Sequence, residues 1–394
     1  MTLLQKHNSN FQMCRGLVSV IFQFKKNKLF LFILGLCTFI LILLYEVAKR
    51  DKTLAILGDH LSRFQSKSVR RHLTESSDMD LGVFGGEDQL VIYNRVPKTG
   101  STSFAGIAYE LCYRNKYHVL HVNISRNAHT MSIPDQMRFI QNITEWYEKR
   151  PAIYHGHFYY INFQKLGYND RLPVYINIIR KPLERLLSYY YFVRYGDNFR
   201  PHIKRRKMGN DMTFDDCVEQ GHKDCDPVNL WLQIPFFCGH SYRCRQPGSR
   251  WALEQAKYNL INNYLLVGVT EELGDFIAML EVMLPRFFKG AMDLYINGER
   301  SHLRKTNKKD NPSKSSIAKI EESAIWKMEH EFYEFALDHF RFQKRLTFAA
   351  VDTLDPETAA DLQNQQSFLL SDGRLYVPKG LQFHYEKVRP DMPG

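Results

Sequence analysis

The sequence predicts an α/β protein in which a central parallel β-sheet is flanked by helices. Five short runs of apolar residues are typical of buried strands, and they alternate with stretches whose apolar residues recur at helical spacing. Such alternation is typical of parallel strands joined by helices that cover the sheet. The composition agrees, because 44% of the 394 residues are hydrophobic and 24% are charged, as in globular proteins.

The predicted elements follow one another along residues 88–350, which we take as one folded domain. The apolar runs predict strands at 89–94, 117–122, 152–157, 174–179 and 264–269. Helical spacing predicts helices at 102–114, 134–149, 182–195 and 271–284. Pro182 supports the third of these helices, because proline is favoured in the first helical turn.

An uncharged stretch of 17 residues, Leu29–Tyr45, precedes this domain and is at the short end of what spans a bilayer. The lysines of residues 25–28, together with Lys6 and Arg15, favour a cytoplasmic N-terminus. A cleaved signal peptide is the rival interpretation, but the long lead and the lack of a small-residue cleavage site argue against it. We therefore predict a single-pass signal anchor, with the folded domain in the secretory lumen.

The predicted organisation has five parts. They are a cytoplasmic tail at 1–28, the transmembrane anchor at 29–45, a stem at 46–87, the folded domain at 88–350, and a polar insert with a C-terminal tail at 351–394. The Asp-Gly pair at 372–373 predicts a hairpin turn in that tail.

The cysteines agree with a lumenal domain. Cys217 lies close to Cys225, and Cys238 lies close to Cys244, which in an oxidising compartment predicts two short loops closed by disulfides. Zinc is the alternative, but no CxxC spacing is present, and we predict no metal site. Cys112 is predicted to be a buried free thiol. Asn123 and Asn142 lie in glycosylation acceptor triplets.

The net charge of +11 favours a polyanion or an anionic membrane surface as a partner. Part of this charge is concentrated in "RPHIKRRK", residues 200–207. Such a run has three interpretations, which are a solvated face, a nuclear signal and a groove for a polyanion. A membrane anchor makes the nuclear signal irrelevant, and we expect no nucleic-acid partner. Arginine pairs bidentately with carboxylates and sulfates, which favours the groove.

The turn after the first predicted strand, Arg95–Ser103, has the composition of an anion-binding loop. A strand that enters a helix through a turn places backbone N–H groups and the positive helix end at one point. Gly100 lets the backbone approach an anion closely, and Lys98 adds a charge. The turn lacks the GxxxxGK[ST] spacing of nucleoside triphosphatases. The alternative, an ordinary capped helix, accounts for one hydroxyl residue but not for several beside a lysine.

Several stretches resemble known sulfotransferases. "PKTGSTS" resembles the 5′-phosphosulfate loop of enzymes that use 3′-phosphoadenosine 5′-phosphosulfate (PAPS), and "INIIRKPLERLLSYYYF" resembles their 3′-phosphate element. The family of heparan sulfate 2-O-sulfotransferases is resembled over about residues 88–345. The stretches that carry this resemblance are "YHVLHVN", "YHGH", "NLWLQIPFFCGHS", "QAKYNLIN", "SHLRKT" and, near the end, "FHYEK". The resemblance implies a P-loop-like sulfotransferase fold.

The resemblance assigns donor-binding roles to matching positions. The 5′-phosphosulfate would be held by Lys98, Thr99, Gly100, Ser101, Thr102 and Ser103. Arg180 and Ser188 would hold the 3′-phosphate. A basic segment would close over the donor through Ser301, Arg304, Thr306 and Lys309. This sequence departs from the family pattern at Gly100, where alanine is common, and at Lys181, where an aspartate is usual and the charge is therefore reversed.

The reaction requires a base, because a sugar hydroxyl is a poor nucleophile near neutral pH. His157 matches the family's catalytic histidine, and His155 lies two residues before it, on the same side of a strand. The alternative is a pair of buried, hydrogen-bonded histidines without a catalytic role. Lys98 is suited to stabilise the charge that develops on the bridging oxygen.

The acceptor implied by the resemblance is the uronic acid, preferably iduronic acid, of heparan sulfate. Its groove would be lined by Arg95, Tyr109, His121, Arg200 and Arg205. A uronyl 2-O-sulfotransferase acting on dermatan or chondroitin sulfate is the nearest alternative, and a non-catalytic heparin-binding membrane protein is another. A lumenal kinase would need a metal-binding carboxylate after a strand, and none is convincing. The resemblance further implies a type II membrane protein of the Golgi and a homotrimer.

Overall fold

The computed structural model describes residues 88–124, 128–170, 172–198, 200–298, 306–352 and 385–388. These residues belong to one compact unit, 78–394. The predicted anchor at 29–45, the stem at 46–87 and the predicted hairpin turn at 372–373 lie outside the described residues. Within the described part of the chain, no helix combines the length and the apolar character needed to cross a membrane.

A six-stranded sheet forms the centre of the fold, in the order β5-β4-β1-β3-β2-β6, and every neighbouring pair is parallel. The strands are β1 Leu90–Asn94, β2 His118–Val122, β3 Ala152–Gly156, β4 Val174–Ile179, β5 Tyr264–Val269 and β6 Tyr385–Val388. The predicted α/β class with a parallel sheet is thus confirmed, and all five predicted strands are present. The sixth, β6, comes from the "FHYEK" stretch, for which no strand was predicted.

The strands could be located from sequence because they are buried on both faces. All five residues of β1 and all five of β3 are buried, and β4 is buried except at its first residue. Central strands of parallel sheets read as continuous apolar runs for this reason. The carboxyl ends of β1, β3 and β4 meet at the same edge of the sheet, where open α/β sheets bind their ligands.

Helices flank the sheet. They are α1 Ser101–Arg114, α2 Ile133–Glu145, α3 Pro182–Tyr195, α4 Phe214–Glu219, α5 Gln233–Cys238, α6 Arg250–Asn263, α7 Leu273–Met283, α8 Pro285–Phe288, α9 Ala291–Asn297, α10 Lys314–Glu321 and α11 Ala324–Asp352. The core between α1 and the sheet contains Phe104, whose ring meets Tyr93 edge to face at 5.1 Å between centroids.

Two predicted helices are shorter than expected. α2 ends at Glu145, and residues 147–149 form a separate 3₁₀ turn. The region 271–284 divides into a 3₁₀ turn at 270–272 and α7, which stops at Met283. Pro285 explains the second end, because the residue before a proline is disfavoured in the α conformation.

Two disulfides close short loops. Cys217 is joined to Cys225, and Cys238 is joined to Cys244. Cys112 is a buried free cysteine on α1. Of the two glycosylation acceptors, Asn142 is exposed on α2, whereas Asn123 is partly buried just after β2.

Candidate active site

The turn between β1 and α1 forms one side of the candidate site. Thr99 is buried, and its Oγ1 donates to the carbonyl oxygen of Val96 at 3.0 Å, which closes the turn. Lys98 and Gly100 have φ angles of 70° and 75°, in the left-handed region that favours glycine. Gly100 occupies the position before α1 and has no side chain to cap it. The first helical turn therefore places its N–H groups beside the hydroxyl residues 101–103, as an anion site requires.

Thr270 joins this turn to the end of β4. Its Oγ1 lies 2.9 Å from the carbonyl oxygen of Thr99 and 3.0 Å from that of Ile179. The hydroxyl donates to one of these two oxygens at a time. Thr270 itself is the residue directly after β5. The two chain segments that were predicted to hold the 5′ and 3′ ends of the donor therefore both lie within hydrogen-bond distance of one hydroxyl, which follows a third strand.

Arg180 follows β4 directly and is held through its backbone. The side-chain amide of Gln233 accepts from the Arg180 N–H at 2.9 Å and donates to the Arg180 carbonyl at 2.9 Å. The guanidinium Nη2 of Arg180 lies 3.3 Å from Oε2 of Glu184, in the first turn of α3. Ser188 is buried further along the same helix. Lys181, where the family usually has an aspartate, is exposed, and its backbone N–H donates to Glu271 at 3.1 Å.

The Glu184 carboxylate contacts two basic side chains that were predicted to bind the donor. Besides Arg180, Lys309 contacts its Oε2, with Nζ 2.5 Å away. Burial acts to raise the pKa of Glu184, but the hydrogen bond and charge of Lys309 and the charge of Arg180 outweigh it, so the pKa is lowered. The carboxylate is thus an anion held where the 3′-phosphate was predicted, which indicates that the two cations can converge on one anionic group.

The basic segment predicted to close over the donor is described from Thr306 onward. Thr306 pairs with Asp197 in an antiparallel bridge, and Asn307 Nδ2 donates to the carbonyl oxygen of Tyr195 at 3.0 Å. These contacts place residues 306 and 307 at the C-terminal end of α3, and the Lys309 side chain reaches Glu184 in the first turn of the same helix. Ser301 and Arg304 lie outside the described residues.

Phe192, on α3, links a predicted donor residue with a predicted acceptor residue. Lys98 Nζ lies 4.0 Å from the centroid of its ring, and the Arg205 guanidinium lies 4.4 Å from the same centroid. Both distances are within the range of cation–π attraction. The structure thus brings the loop lysine and one arginine of the basic run 200–207 to the same aromatic ring.

Arg205 differs from the other basic residues of its run. Its side chain is only 13% exposed, and its Nη2 lies 3.2 Å from Oδ1 of Asp197, whose side chain is 1% exposed. The same carboxylate accepts from the Arg200 backbone N–H at 3.1 Å, while the Arg200 side chain is exposed. Arg205 is therefore an internal partner of a buried carboxylate, which a solvated-face interpretation of the run did not anticipate.

His157 lies just beyond the end of β3, and its tautomer is determined by one contact. Its Nδ1 lies 2.7 Å from the carbonyl oxygen of Arg95. A carbonyl can only accept, so Nδ1 carries the hydrogen and Nε2 of the neutral ring has the lone pair. A second histidine, His129, donates through Nδ1 to the carbonyl oxygen of His157 at 3.0 Å. Both the ring and the backbone of His157 are therefore held in place.

His155 lies inside β3 and is fully buried. Its Nε2 lies 2.6 Å from the Tyr109 hydroxyl, and its ring stacks on that of His121 with centroids 4.8 Å apart. Gly156 separates it from His157, and a Cβ there would lie 2.4 Å from the Val122 carbonyl oxygen. Only glycine thus allows β3 to approach β2 so closely between the two histidines. His155, Tyr109 and His121 form a packed group, which matches the alternative interpretation of a hydrogen-bonded histidine more closely than it does a base.

The electrostatics of this region keep both histidines neutral. Burial lowers the pKa of His155 and of His157 well below the usual value, and the positive charge of Arg95 lowers both further. A neutral imidazole near pH 7 can accept a proton, whereas an imidazolium cannot. Arg95 therefore places a positive charge beside two histidines whose protonated form is already disfavoured by burial.

The structure brings the predicted residues together in two neighbouring groups joined by the Arg95–Gly100 turn. One contains Arg95, Tyr109, His121, His155 and His157, and the other contains Lys98, Arg205, Thr306, Lys309 and Arg180 with its helix. Sequence reasoning missed Thr270 and His129, which lie in no quoted motif, and it gave no role to Phe192, the last residue of "INIIRKPLERLLSYYYF". It also gave no role to Gln233 and His240, although both lie in the quoted stretch "NLWLQIPFFCGHS".

A parallel sheet whose strand ends carry a glycine-containing turn, a cluster of basic side chains and a neutral histidine is an arrangement suited to a group-transfer enzyme. Residues 83–336 match the model of the sulfotransferase family. Human heparan sulfate 2-O-sulfotransferase 1 is 53% identical over 346 residues, which are 88% of this chain and 91% of that protein. The Gallus gallus protein of the same name is 47% identical over 376 residues, or 95% and 99% of the two chains. A Drosophila melanogaster heparin sulfate O-sulfotransferase is 52% identical over 339 residues, or 86% and 87%.

The chain therefore belongs to the sulfotransferase family and, within it, to the heparan sulfate 2-O-sulfotransferases that these relatives represent. The predicted fold and family are confirmed. A sulfotransferase uses a sulfate donor.

Proposed function

We propose that this protein transfers the sulfuryl group of PAPS to the 2-hydroxyl of uronic acid, preferably iduronic acid, in heparan sulfate. The observation that carries the proposal is the state of His157. Its Nδ1 is committed to the Arg95 carbonyl, so the basic Nε2 is directed away from that bond, and its pKa is depressed by burial and by Arg95. A histidine in this state is neutral near pH 7, and its Nε2 lone pair can accept the proton of a sugar hydroxyl.

The donor side fits a nucleotide with phosphates at both ends. Residues Lys98 to Ser103 would hold the 5′-phosphosulfate, through the N–H groups of the first turn of α1 and the hydroxyls beside them. Arg180, Ser188 and Lys309 would hold the 3′-phosphate, and a fit to an anion is supported by the Glu184 carboxylate that Arg180 and Lys309 already contact. Ser301, Arg304 and Thr306 would complete the cover.

The protein's own groups have separate tasks in the transfer. His157 accepts the proton of the acceptor hydroxyl at Nε2 as the oxygen bonds to sulfur. Lys98 stabilises the negative charge that develops on the oxygen leaving the sulfur. The bound donor supplies the sulfuryl group. His155, through its bond to Tyr109 and its stacking on His121, fixes the strand from which His157 projects.

The acceptor side is positively charged, as a polyanionic substrate requires. Arg95 lies beside both histidines, Arg205 lies at Phe192, and Arg200 is exposed at the start of the same basic run. A uronic acid offers a carboxylate, and its N-sulfated neighbours offer sulfates, both of which pair well with guanidinium groups. Heparan sulfate is proposed as the acceptor because the relatives are heparan sulfate 2-O-sulfotransferases and because of this positive charge.

The proposed setting is the lumenal side of a Golgi membrane. Residues 29–45 would be the signal anchor, 46–87 the stem and 88–350 the sulfotransferase domain, with the C-terminal tail at 351–394 contributing to a homotrimer. Two disulfides and two glycosylation acceptors are consistent with an oxidising, glycosylating compartment.

One assay tests the activity and its acceptor. The full-length protein, solubilised from membranes, is incubated with sulfate-labelled PAPS and separately with heparan, dermatan and chondroitin sulfate. Disaccharide analysis should find the label on the 2-hydroxyl of iduronate from heparan sulfate. Label mainly on dermatan or chondroitin uronate would favour the related uronyl 2-O-sulfotransferase. Tight heparin binding without any transfer would overturn the enzymatic proposal.

A further inference from the structure

The segment Asn229–Ser241, which includes α5, contacts the ends of the three central strands that carry the site. We call it the bracing segment. None of its side chains was given a role in the proposed transfer. Its contacts fall at two separated points, one on the donor side and one on the side of the base, with a backbone contact between them.

On the donor side, the contact is made by Gln233. This residue is completely buried, and its amide group satisfies both the N–H and the carbonyl oxygen of Arg180. Gln233 is itself held by its neighbours, because the buried Glu329 accepts from the N–H groups of Leu232 and Ile234 at 2.9 and 3.1 Å. A side chain that pairs with both polar groups of one backbone residue fixes that residue's position and orientation.

Between the two points, the carbonyl oxygen of Phe236 receives two donors. The Asn94 side chain, at the end of β1, donates to it at 3.2 Å. The backbone N–H of Tyr160, in the chain leaving β3, donates to it at 2.8 Å. The middle of α5 therefore links the strand that leads into the phosphosulfate loop with the chain that leaves His157.

On the side of the base, the contact is made by His240. Its Nδ1 accepts from the Met131 N–H at 3.0 Å, so its Nε2 carries the hydrogen and donates to the Tyr159 carbonyl at 3.1 Å. The residues it joins flank the contacts of His157. His129 donates to the His157 carbonyl through its ring and accepts the Tyr159 N–H through its backbone, at 3.0 and 2.9 Å. His240 thus stabilises the segment 129–131, whose first residue holds the His157 carbonyl oxygen.

We propose that Gln233 and His240 are positioning residues for the two halves of the reaction, Gln233 for the 3′-phosphate arginine and His240 for the base. Neither side chain has to touch a substrate. This inference rests on the proposed function, because it assigns each residue to a half of that transfer. It makes a crossed prediction: each substitution impairs one half and leaves the other intact.

The first variant is Gln233→Leu, which keeps the volume and removes both bonds to Arg180. Calorimetry with adenosine 3′,5′-bisphosphate and adenosine 5′-monophosphate measures how much the 3′-phosphate contributes to the binding affinity. We expect about tenfold weaker binding of the bisphosphate, with binding of the monophosphate unchanged. The pH profile of kcat at saturating donor should keep its wild-type shape.

The second variant is His240→Phe, which keeps a ring and removes the bonds to Met131 and Tyr159. We expect kcat at saturating donor to fall roughly tenfold to a hundredfold, because a small misplacement of a catalytic group is costly. Binding of both nucleotides should be unchanged. His240→Gln, which retains a donor and an acceptor, should recover part of the rate.

Two matched controls separate positioning from general destabilisation. Gln343→Leu removes the hydrogen bond that the side-chain amide of Gln343 donates to the Leu265 carbonyl oxygen, near the start of β5. His339→Phe replaces another buried histidine, on α11. If these controls reproduce the losses, or if each bracing variant impairs both halves equally, the inference is wrong. The same holds if neither bracing variant changes its expected quantity. A wild-type protein that does not distinguish the two nucleotides would instead overturn the proposed function itself.

Discussion

The Nδ1 atom of His157 lies 2.7 Å from the carbonyl oxygen of Arg95, and the charge of the same arginine lowers the pKa of that histidine. One residue thus sets two properties of the ring. Its backbone selects the tautomer that leaves the lone pair on Nε2, and its charge adds to the effect of burial in lowering the pKa of the ring. Because Arg95 begins the turn that contains Lys98, the His157 ring is held by the same segment as this turn.

Removal of the proposed base should abolish most turnover. His157→Ala is expected to lower kcat by about 10²–10⁴-fold, the usual contribution of a general base, and to leave the Kd of adenosine 3′,5′-bisphosphate nearly unchanged. His155→Ala should cost less, since His155 is bonded to Tyr109 and stacked on His121. The exposed His222, replaced by alanine, is the control. A His157 variant with near-wild-type kcat would remove this residue from the mechanism.

The pH dependence follows from the direction of the pKa shift. The base is active when neutral, and its pKa in the folded protein lies well below that of a free histidine. The rate should therefore persist as the pH falls through about 6.5, the ordinary histidine value, and decline only as the lower folded pKa is approached. Profiles of kcat/KM against pH report this free-enzyme pKa.

The same profile tests the contribution of Arg95. Arg95→Met removes the charge that lowers the pKa of His157 and retains the backbone carbonyl that orients it. The acidic limb of the profile should consequently move to higher pH. An unshifted limb in this variant, or a wild-type limb centred near 6.5, would contradict the assigned electrostatics.

Two substitutions on the donor side should distinguish the residues that bind the 5′ end of the nucleotide from those that bind its 3′ end. Lys98→Ala is expected to weaken donor affinity and also to lower kcat, because its charge acts in both the ground state and the transition state. Arg180→Ala should mainly weaken nucleotides that carry a 3′-phosphate. Calorimetry with and without that phosphate decides the matter. If each nucleotide binds the Arg180 variant with the same affinity as it binds wild type, the 3′-phosphate assignment is wrong.

Arg205 has a structural partner, so its removal should have two consequences. Asp197 would lose a guanidinium partner inside the protein, and breaking a buried pair in this way typically costs about 3–5 kcal/mol of unfolding free energy. We also expect Arg205→Ala to lower iduronate sulfation more than glucuronate sulfation, because those carboxylates point in different directions. Chemical unfolding and the two-substrate assay measure the two effects.

The exposed neighbour Arg206 provides the matched control for that experiment. Arg206→Ala removes an equal charge from the same run and should change neither stability nor substrate preference by a comparable amount. An equal loss of both substrates in the Arg205 variant, reproduced by added salt, would reduce Arg205 to background charge.

Covalent features test the proposed compartment. Peptide mapping of unreduced protein isolated from membranes should find Cys217 linked to Cys225 and Cys238 linked to Cys244, as the structure pairs them. Glycans are expected on Asn142 and Asn123, with higher occupancy at the more exposed Asn142. Free thiols at all four cysteines would contradict a lumenal domain.

Much of the fold could be predicted because its signals are local. Strands such as β1 and β4 are buried along nearly their whole length, so they read as continuous apolar runs. The turn at Gly100 and the helix that begins at Pro182 are likewise indicated by residue types that favour a turn and a helix start. β6 was missed because its pairing with β2 depends on residues far away in the chain rather than on a distinctive apolar run.

The candidate site was predictable in its members but not in its internal contacts. The bond between Gln233 and Arg180 joins residues 53 positions apart, and the sequence offers no sign of it. Likewise, nothing in a basic run distinguishes Arg205, which pairs with buried Asp197, from its exposed neighbours. Such distinctions arise from tertiary packing, which decides which of several similar side chains faces inward.

The pairing of β6 with β2 has a consequence for the growing chain. β2 is complete at Val122, whereas its outer neighbour begins only at Tyr385. At 5–20 residues per second, a ribosome needs roughly ten to fifty seconds to make the intervening stretch. During that interval the outer edge of β2, beside the strand that carries His155, has unsatisfied backbone groups of the kind that recruit foreign strands. The outer edge of β2 therefore stays without its native partner until almost the whole described domain has been synthesised.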